Sequence, residues 1–141
     1  MALNKLIYFA NPTKARTLGL SDTIRADVYA YATIYTVLVT ETLSIKDVVV
    51  NLFGENTSGA IADGRVILDI SGKEIVLYSN NNIGAAALVN ETITMSTDIG
   101  ISNIVLSTGD TIKLKYIYDS AGAGTYSATM KGTIILEDFT A

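Results

Sequence analysis

The chain is organised around residues 109–139, GDTIKLKYIYDSAGAGTYSATMKGTIILEDF. A Gly109-Asp110 turn opens this stretch, and residues 111–118 then alternate apolar and polar side chains. A period of two is typical of a half-buried strand. The glycine-bearing segment 119–124 predicts a loop, and the alternating run that follows it predicts a second long strand.

The Lys131-Gly132 pair inside that last run is compatible with a hairpin turn or with one continuous strand. A tight hairpin would place Ala128 opposite Ile135 and Tyr126 opposite Glu137, which mixes the two faces. Because strand register is set by keeping one face buried, we predict a single strand. Gly132 is then expected at a bulge or at a close approach of two backbones.

Similar alternating runs, separated by turn signals, precede this stretch. The run 24–39 also permits a helix capped by Ser21, but its β-branched and aromatic residues favour a strand. Segments 10–23, 54–64 and 79–84 carry turn residues and predict irregular structure or loops. The remaining predicted strands are 3–9, 45–53, 65–70, 74–78, 85–89, 92–95 and 103–106.

These runs predict an all-β protein, specifically an antiparallel jelly-roll-type β-sandwich of about eight strands. A parallel sheet would need helices between its strands, and no strong helical pattern separates the runs. We divide the chain into residues 1–23, an N-terminal strand or arm with an irregular segment, and residues 24–141, a single β-sandwich domain.

Composition narrows the class of protein. The chain has 141 residues, of which 49% are hydrophobic and 17% charged, which is typical of a folded domain rather than a disordered one. Its net charge of -4 disfavours binding to nucleic acid. No apolar run reaches the roughly 18–20 residues of a membrane span, and the N-terminal segment lacks the features of a signal peptide.

Histidine and cysteine are both absent. Catalytic Ser-His or Cys-His pairs and zinc sites built on these side chains are therefore excluded. Carboxylate, lysine and tyrosine mechanisms remain, but nothing selects a catalytic pair of carboxylates, and no acidic run has calcium-loop spacing. We expect no enzymatic activity, no cofactor and no bound metal.

The closing stretch resembles the C-terminal half of trimeric jelly-roll domains of the C1q and tumour-necrosis-factor type. In those families a Gly-Asp pair leads into a long penultimate strand, and a glycine-rich loop precedes a last strand containing a small residue. Gly109-Asp110, residues 111–118, residues 120–124 and Gly132 match these features. Such domains also occur in bacteriophage decoration, auxiliary capsid and head-fibre proteins, so the resemblance implies a jelly roll that forms trimers.

Three groups of residues are candidate contact sites. A subunit interface is suggested by a tyrosine and valine face on the run 24–39. For the tyrosines an ordinary sheet face is an equal alternative, and for the valines burial in a thick single core is a slightly better one. A polar asparagine cluster suggests a glycan-contact loop, although such clusters are usually turns. Basic residues near the N-terminus suggest arm contacts with an acidic partner, although a solvated arm is as good an interpretation. The three groups are Tyr29, Tyr31, Tyr35, Val37 and Val39; Asn80, Asn81 and Asn82; and Lys5, Lys14 and Arg16.

The first functional hypothesis is therefore a non-enzymatic structural protein of a virus or bacteriophage particle. It would form a homotrimer, contact a major capsid or other virion protein, and be located in the virion after assembly in the host cytoplasm. The second hypothesis is a glycan- or receptor-binding β-sandwich module, and the third is an enzyme that uses carboxylates.

Overall fold

The computed structural model describes residues 3–10, 14–18, 26–30, 35–56, 61–84, 87–120 and 124–139, with side chains described within 35–56, 61–84, 87–115 and 132–139. The described residues form eleven strands and one short helix. In chain order these are β1 (Leu3–Ala10), β2 (Lys14–Leu18), β3 (Ala26–Ala30), β4 (Tyr35–Thr36), β5 (Leu43–Asn56), β6 (Ala62–Ile70), β7 (Lys73–Ile83), β8 (Leu88–Thr94), α1 (Met95–Asp98), β9 (Ile104–Val105), β10 (Thr111–Ser120) and β11 (Gly124–Asp138).

The strands form two antiparallel sheets. The first sheet has the order β1-β11-β5-β8, with β2 also pairing with β11 and β9 with β5. The second has the order β3-β10-β6-β7, with β4 also pairing with β10.

The pairs are nested along the chain: β6 pairs with β7, β5 with β8, β3 and β4 with β10, and β1 and β2 with β11. β1 and β2 both pair with β11, β3 and β4 both pair with β10, and β8 and β9 both pair with β5. Each of these three couples fills one position in its sheet, so the eleven strands occupy eight positions. This is the pattern of a long hairpin wound into two sheets, which is a jelly roll. The predicted fold class is confirmed.

The core lies between the sheets and is built by the period-two alternation that the sequence shows. Inward positions of four central strands are almost fully buried; their neighbours in the chain are more exposed on β5, β10 and β11, whereas β6 is buried throughout 66–70. The buried side chains of these strands are Val48, Val50 and Leu52 on β5, Val66 and Leu68 on β6, Ile112 and Leu114 on β10, and Ile134 and Leu136 on β11.

The last run is one strand, β11, as predicted, and Gly132 sits where two backbones approach closely. It lies opposite Val50 on β5. A Cβ atom at this position would overlap the carbonyl oxygen of Val49 and lie 2.9 Å from its carbonyl carbon. The bulge in this strand pair lies elsewhere, between Ile135 and Leu136.

The predicted strand 24–39 is wrong in its extent. The chain forms β3, then β4, and then turns: the backbone N–H of Glu41 donates to the carbonyl of Leu38, and the Glu41 carboxylate accepts from the N–H of Leu38 and from the Tyr35 hydroxyl. Val37 follows β4, and its backbone N–H and carbonyl still bond to Asp110 and Gly109. A side chain that holds a turn ends the strand here, although the alternation in sequence continues.

Other boundaries also differ from the prediction. The segment predicted as irregular before residue 24 contains β2, and the predicted loop 54–64 contains the end of β5 and the start of β6. Residues 88–89 of the predicted run 85–89 and residues 92–94 of the predicted run 92–95 lie in one strand, β8, while residues 85–86 lie outside the described residues. The helix α1 was not predicted because four residues carry no helical period.

Candidate functional site

Two chain turns meet at one end of the sandwich and are tied together by hydrogen bonds. Asp110 joins them: its Oδ1 accepts from the Ser71 hydroxyl at 2.9 Å and its Oδ2 accepts from the Ser107 N–H at 2.7 Å. The Ser71 Oγ in turn accepts from the Thr111 N–H at 3.0 Å. The predicted turns at Ser71-Gly72 and Gly109-Asp110 therefore interlock across the sheet, and they hold this end in a fixed shape.

A charged cluster lies beside this end on the second sheet. Lys115 Nζ is 2.6 Å from Asp69 Oδ2 and 3.1 Å from Glu74 Oε2, and Asp69 Oδ1 accepts from the Gly72 N–H at 2.8 Å. The hydrogen bond from Lys115, followed by that from Gly72, lowers the pKa of Asp69. The same hydrogen bond to Asp69 raises the pKa of Lys115. The cluster binds the β6–β7 hairpin to β10, so its chemistry is structural.

These shifts predict how stability depends on pH. Asp69 and Asp110 have lowered pKa values in the folded chain, the latter mainly because of the Ser107 N–H, so their contribution is present above the ordinary value of 3.8 and is lost as pH falls below it. Lys115 has a raised pKa, so its contribution is complete below 10.5 and is lost as pH rises above the folded value. We expect the thermal unfolding midpoint to be flat between these limits and to fall on either side.

A thermal melt series at different pH values checks this expectation. Asp69→Asn should lower stability at neutral pH by about 1–3 kcal/mol, because it removes one charge of a nearly buried pair. The variant should also lose less stability at acid pH than the wild type does, and the double variant with Asp110→Asn should lose less still. An acid slope unchanged in the double variant would contradict the assignment.

Exposed apolar side chains surround the same end. Val39 is 83% exposed and Val105 is 80% exposed, and Leu38 and Phe139 are about half exposed. Backbone bonds place them around one segment: Ser44 pairs with Val105, the Leu106 N–H donates to the Leu43 carbonyl, and that of Phe139 donates to the Thr42 carbonyl. Val105 also lines a cleft of about 240 Å³ with residues of the β6–β7 hairpin. This set (Leu38, Val39, Val105 and Phe139) is called the apolar end below.

The five residues of the predicted tyrosine and valine face differ in burial and position. Val37 is 2% exposed and packs in the core, so its place in a subunit interface is wrong. Tyr35 packs partly against the core and donates its hydroxyl to Glu41. Tyr29 lies on β3 opposite Tyr116, and Tyr31 lies outside the described residues. Of the three members whose side chains the structure describes, Tyr35, Val37 and Val39, the last is largely exposed.

The asparagine cluster is part of a strand, which corrects the predicted loop. Residues 80–82 belong to β7, at a bulge: Ala62 pairs with Ile83 and Gly64 with Asn80, so two asparagines face one residue of β6. The Asn80 side chain accepts from the Asn82 N–H at 2.9 Å and lies 3.3 Å from the Tyr78 hydroxyl. Polar side chains that bond locally permit the bulge, which explains why a turn-like composition occurs inside a strand. Sugar contact by Asn81 and Asn82, which are exposed, stays a prediction.

The basic residues of the predicted arm lie on strands of the first sheet. Lys5 lies on β1 opposite Leu136, and Lys14 and Arg16 lie on β2 opposite Ala128 and Tyr126. The arm contacts themselves stay a prediction, as does the division of the chain at residue 23.

Metal-binding clusters and membrane-spanning helices are two further kinds of feature that the described residues could form. Within those residues no three acidic side chains come together as metal ligands, and no helix has the length and apolarity needed to cross a bilayer. The apolar end was missed by the sequence analysis except for Val39, because exposure of a valine depends on which strands cover it and leaves no mark in the local pattern.

Comparisons with known proteins identify no family: no family model matches the chain, and no curated protein matches it. Several solved structures are similar in fold. One is the CBM36-1 domain of a multidomain xylanase from the hindgut metagenome of Trinervitermes trinervoides, with 11% identity, a TM-score of 0.33, and coverage of 99% of this chain and 98% of that one. Another is a carbohydrate-binding module CBM36 in complex with calcium and xylotriose, with 16% identity, a TM-score of 0.30, and coverage of 96% and 98%.

A third is the VP2 subviral particle of infectious bursal disease virus, with 11% identity and a TM-score of 0.36. The match covers 98% of this chain but only 38% of the VP2 chain. At these identities and TM-scores the likeness does not bear on what this chain binds or assembles with. The jelly-roll fold that the resemblance to C1q-type domains implied is confirmed. Membership of that family stays a prediction.

Proposed function

We propose that this chain is a non-enzymatic structural protein that acts through surface contacts, as a decoration, auxiliary capsid or fibre-type component of a bacteriophage particle. The observation that carries the proposal is the apolar end. Valines that are about four-fifths exposed are held in place by interlocked turns, and such exposed apolar groups mark contact sites when they lie together. The polar side chains beside them are engaged in holding the fold rather than presented to a substrate.

The jelly roll adds support at the level of fold analogy, because this architecture recurs in viral capsid and lectin domains. The proposed assembly is a homotrimer in which three copies meet at the apolar end and bury Val39 and Val105. A virion location and contact with a major capsid protein follow from this proposal. Apolar area removed from water would stabilise the trimer by roughly 25 cal/mol per Å², less the cost of ordering the subunits.

The mass of the chain in solution tests the proposal. We expect a trimer by light scattering on a size-exclusion column, and we expect the double variant Val39→Asp with Val105→Asp to be a monomer. Both side chains are exposed in the isolated chain, so the melting temperature of the monomer should change little at low protein concentration.

Val76→Asp is the matched control, because Val76 is a partly exposed valine on the second sheet, away from the apolar end. It should leave the mass unchanged. A wild-type chain that is monomeric at all concentrations would contradict self-assembly, and a mass equally sensitive to Val76→Asp would contradict the location of the contact.

A further inference from the structure

A cleft of about 360 Å³ opens on the outer side of the first sheet, between β5, β11 and the segment that leads from α1 to β9. It is lined by Lys46, Asp47, Ser96, Ser102, Asn103 and Ile135. Its volume lies within the range of small-molecule sites, roughly 300–1,000 Å³. Most of its lining side chains carry hydrogen-bonding groups, and Ile135 adds an apolar surface.

The bulge in β5 directs one of these side chains. Asp47 pairs with Ile135 and Ile45 pairs with Leu136, so Lys46 is the extra residue between them. Bulges re-aim side chains and occur next to functional sites. The Lys46 side chain remains half exposed, and its Nζ lies 3.8 Å from Glu137 Oε1, which is long for an ion pair.

Asp47 and Ser96 form a fixed wall of the cleft. The Asp47 Oδ1 accepts from the N–H groups of Val48 and Ser96, at 2.8 and 3.0 Å, and its Oδ2 accepts from the Ser96 hydroxyl at 2.6 Å. These bonds use both oxygens of the Asp47 carboxylate within the protein itself. The carboxylate therefore positions the serine rather than being open to a cation.

Ser102 and Asn103 form the opposite wall, and their side chains are held less firmly than those of Asp47 and Ser96. The Asn103 amide lies 3.4 Å from the Ser102 hydroxyl, which is a weak contact, and both residues are exposed. Asn103 has a backbone φ of 55°, in the left-handed region that asparagine tolerates better than most residues. The Asn103 amide can both donate and accept hydrogen bonds.

The charges around the cleft define the class of ligand. Among the lining residues the ammonium group of Lys46 balances the carboxylate of Asp47, which is already bonded to Val48 and Ser96. Glu137 beside Lys46 adds one negative charge, so an anion gains no net attraction. Mixed donors and acceptors with one apolar surface suit a neutral molecule rich in hydroxyl groups. A sugar ring has that chemistry.

The outer face of β5 continues from the cleft to an exposed aromatic ring. Phe53 is 53% exposed and lies six residues beyond Asp47, about 20 Å along the strand. Asn51 stands between them, its Oδ1 accepting from the Thr92 hydroxyl at 2.9 Å, and Asn90 lies opposite Phe53 on β8. Val49, which is partly exposed, also lies on this face, so the face carries polar groups, one valine and an aromatic ring at its far end.

We propose that this outer face binds an extended, uncharged polysaccharide, with one sugar in the cleft and another packed against the ring of Phe53. The site differs from the asparagine cluster on β7, and the inference does not depend on assembly through the apolar end.

Affinity electrophoresis of the full chain tests the proposal, with gels containing xylan, glucomannan or dextran as neutral polymers and alginate as an anionic one. We expect retardation in at least one neutral polymer and none in alginate. Asn103→Gly keeps the left-handed backbone and removes the amide, and Phe53→Thr keeps a strand-forming residue and removes the ring. Each should weaken binding about tenfold. Val76→Thr is the control on the other sheet and should bind as the wild type does.

Absence of retardation in all three neutral polymers would overturn the proposal, as would retardation in alginate alone. A change in solution mass with Phe53→Thr, without loss of sugar binding, would instead identify this face as a contact between copies. Thermal melts of both variants show whether they remain folded. Because the readout is sugar binding, its failure is separate from any failure of the trimer.

Discussion

Gly132→Ala should destabilise the protein by about 3 kcal/mol or more, and we expect the melting temperature to fall by about 10 °C or more. The new methyl group would overlap the backbone of Val49 on the neighbouring central strand, where no flexible side chain can yield. Relief would require β11 and β5 to separate, and this pair holds the middle of the first sheet. Thermal or denaturant unfolding of the variant measures the effect.

Gly84→Ala is the matched control for this change. A Cβ at Gly84 would meet only the side chain of Ala87, at 3.6 Å, which is an ordinary contact. The same substitution should therefore cost little there. Equal stability of the two variants would show that the close approach at Gly132 is not a constraint on the fold.

Asn56→Asp should cost about 3 kcal/mol or more at neutral pH. The Asn56 side chain is fully buried, and its Nδ2 donates to the carbonyl oxygens of Ile83 and Gly84, at 3.1 and 2.9 Å. These bonds tie the end of β5 in the first sheet to the end of β7 in the second. A carboxylate of the same shape would turn an oxygen toward those carbonyls and would lose both donors.

The pH dependence of the stability of this variant tests the explanation. Burial and the facing carbonyl groups should raise the pKa of the introduced carboxyl group in the folded state above its unfolded value of about 3.9. The folded state then binds more protons, so the cost should grow as pH rises and shrink toward low pH. Asn81→Asp, at an exposed position of β7, is the control. A variant at residue 56 as stable as the wild type at neutral pH would contradict the role of the amide.

The central strands of this fold could be predicted from sequence, and the reason is their half-buried environment. Leu114 and Leu136 face the core while their neighbours do not, so the period of two is written directly into the chain. The same logic selected one long strand through Gly132. The end of β4 after Thr36 could not be seen in this way, because it depends on the turn that the carboxylate of Glu41 stabilises.

The candidate surfaces were less predictable than the fold. Val37 and Val39 have the same chemistry and sit two residues apart, yet one is buried and the other is 83% exposed. Their difference arises because Val37 still pairs with the 109–110 turn, whereas Val39 lies within the turn 38–41. Likewise, Lys46 enters a cleft because a bulge shifts the register by one residue, and such a shift leaves no signal in composition.

The nested pairing also has a consequence for how the chain folds. The β6–β7 hairpin closes across the two residues Ser71 and Gly72, but β1, β2 and β5 all pair with β11, which is synthesised last. On a ribosome the second sheet can begin to form early, whereas β1 and β2 wait without this partner strand until residues 124–138 emerge. Contacts between residues so far apart in sequence close slowly, on the millisecond-to-second scale of all-β domains. The first sheet is therefore expected to be the late and rate-limiting part of folding, and its unpaired strands are the segments that would most need protection from aggregation during synthesis.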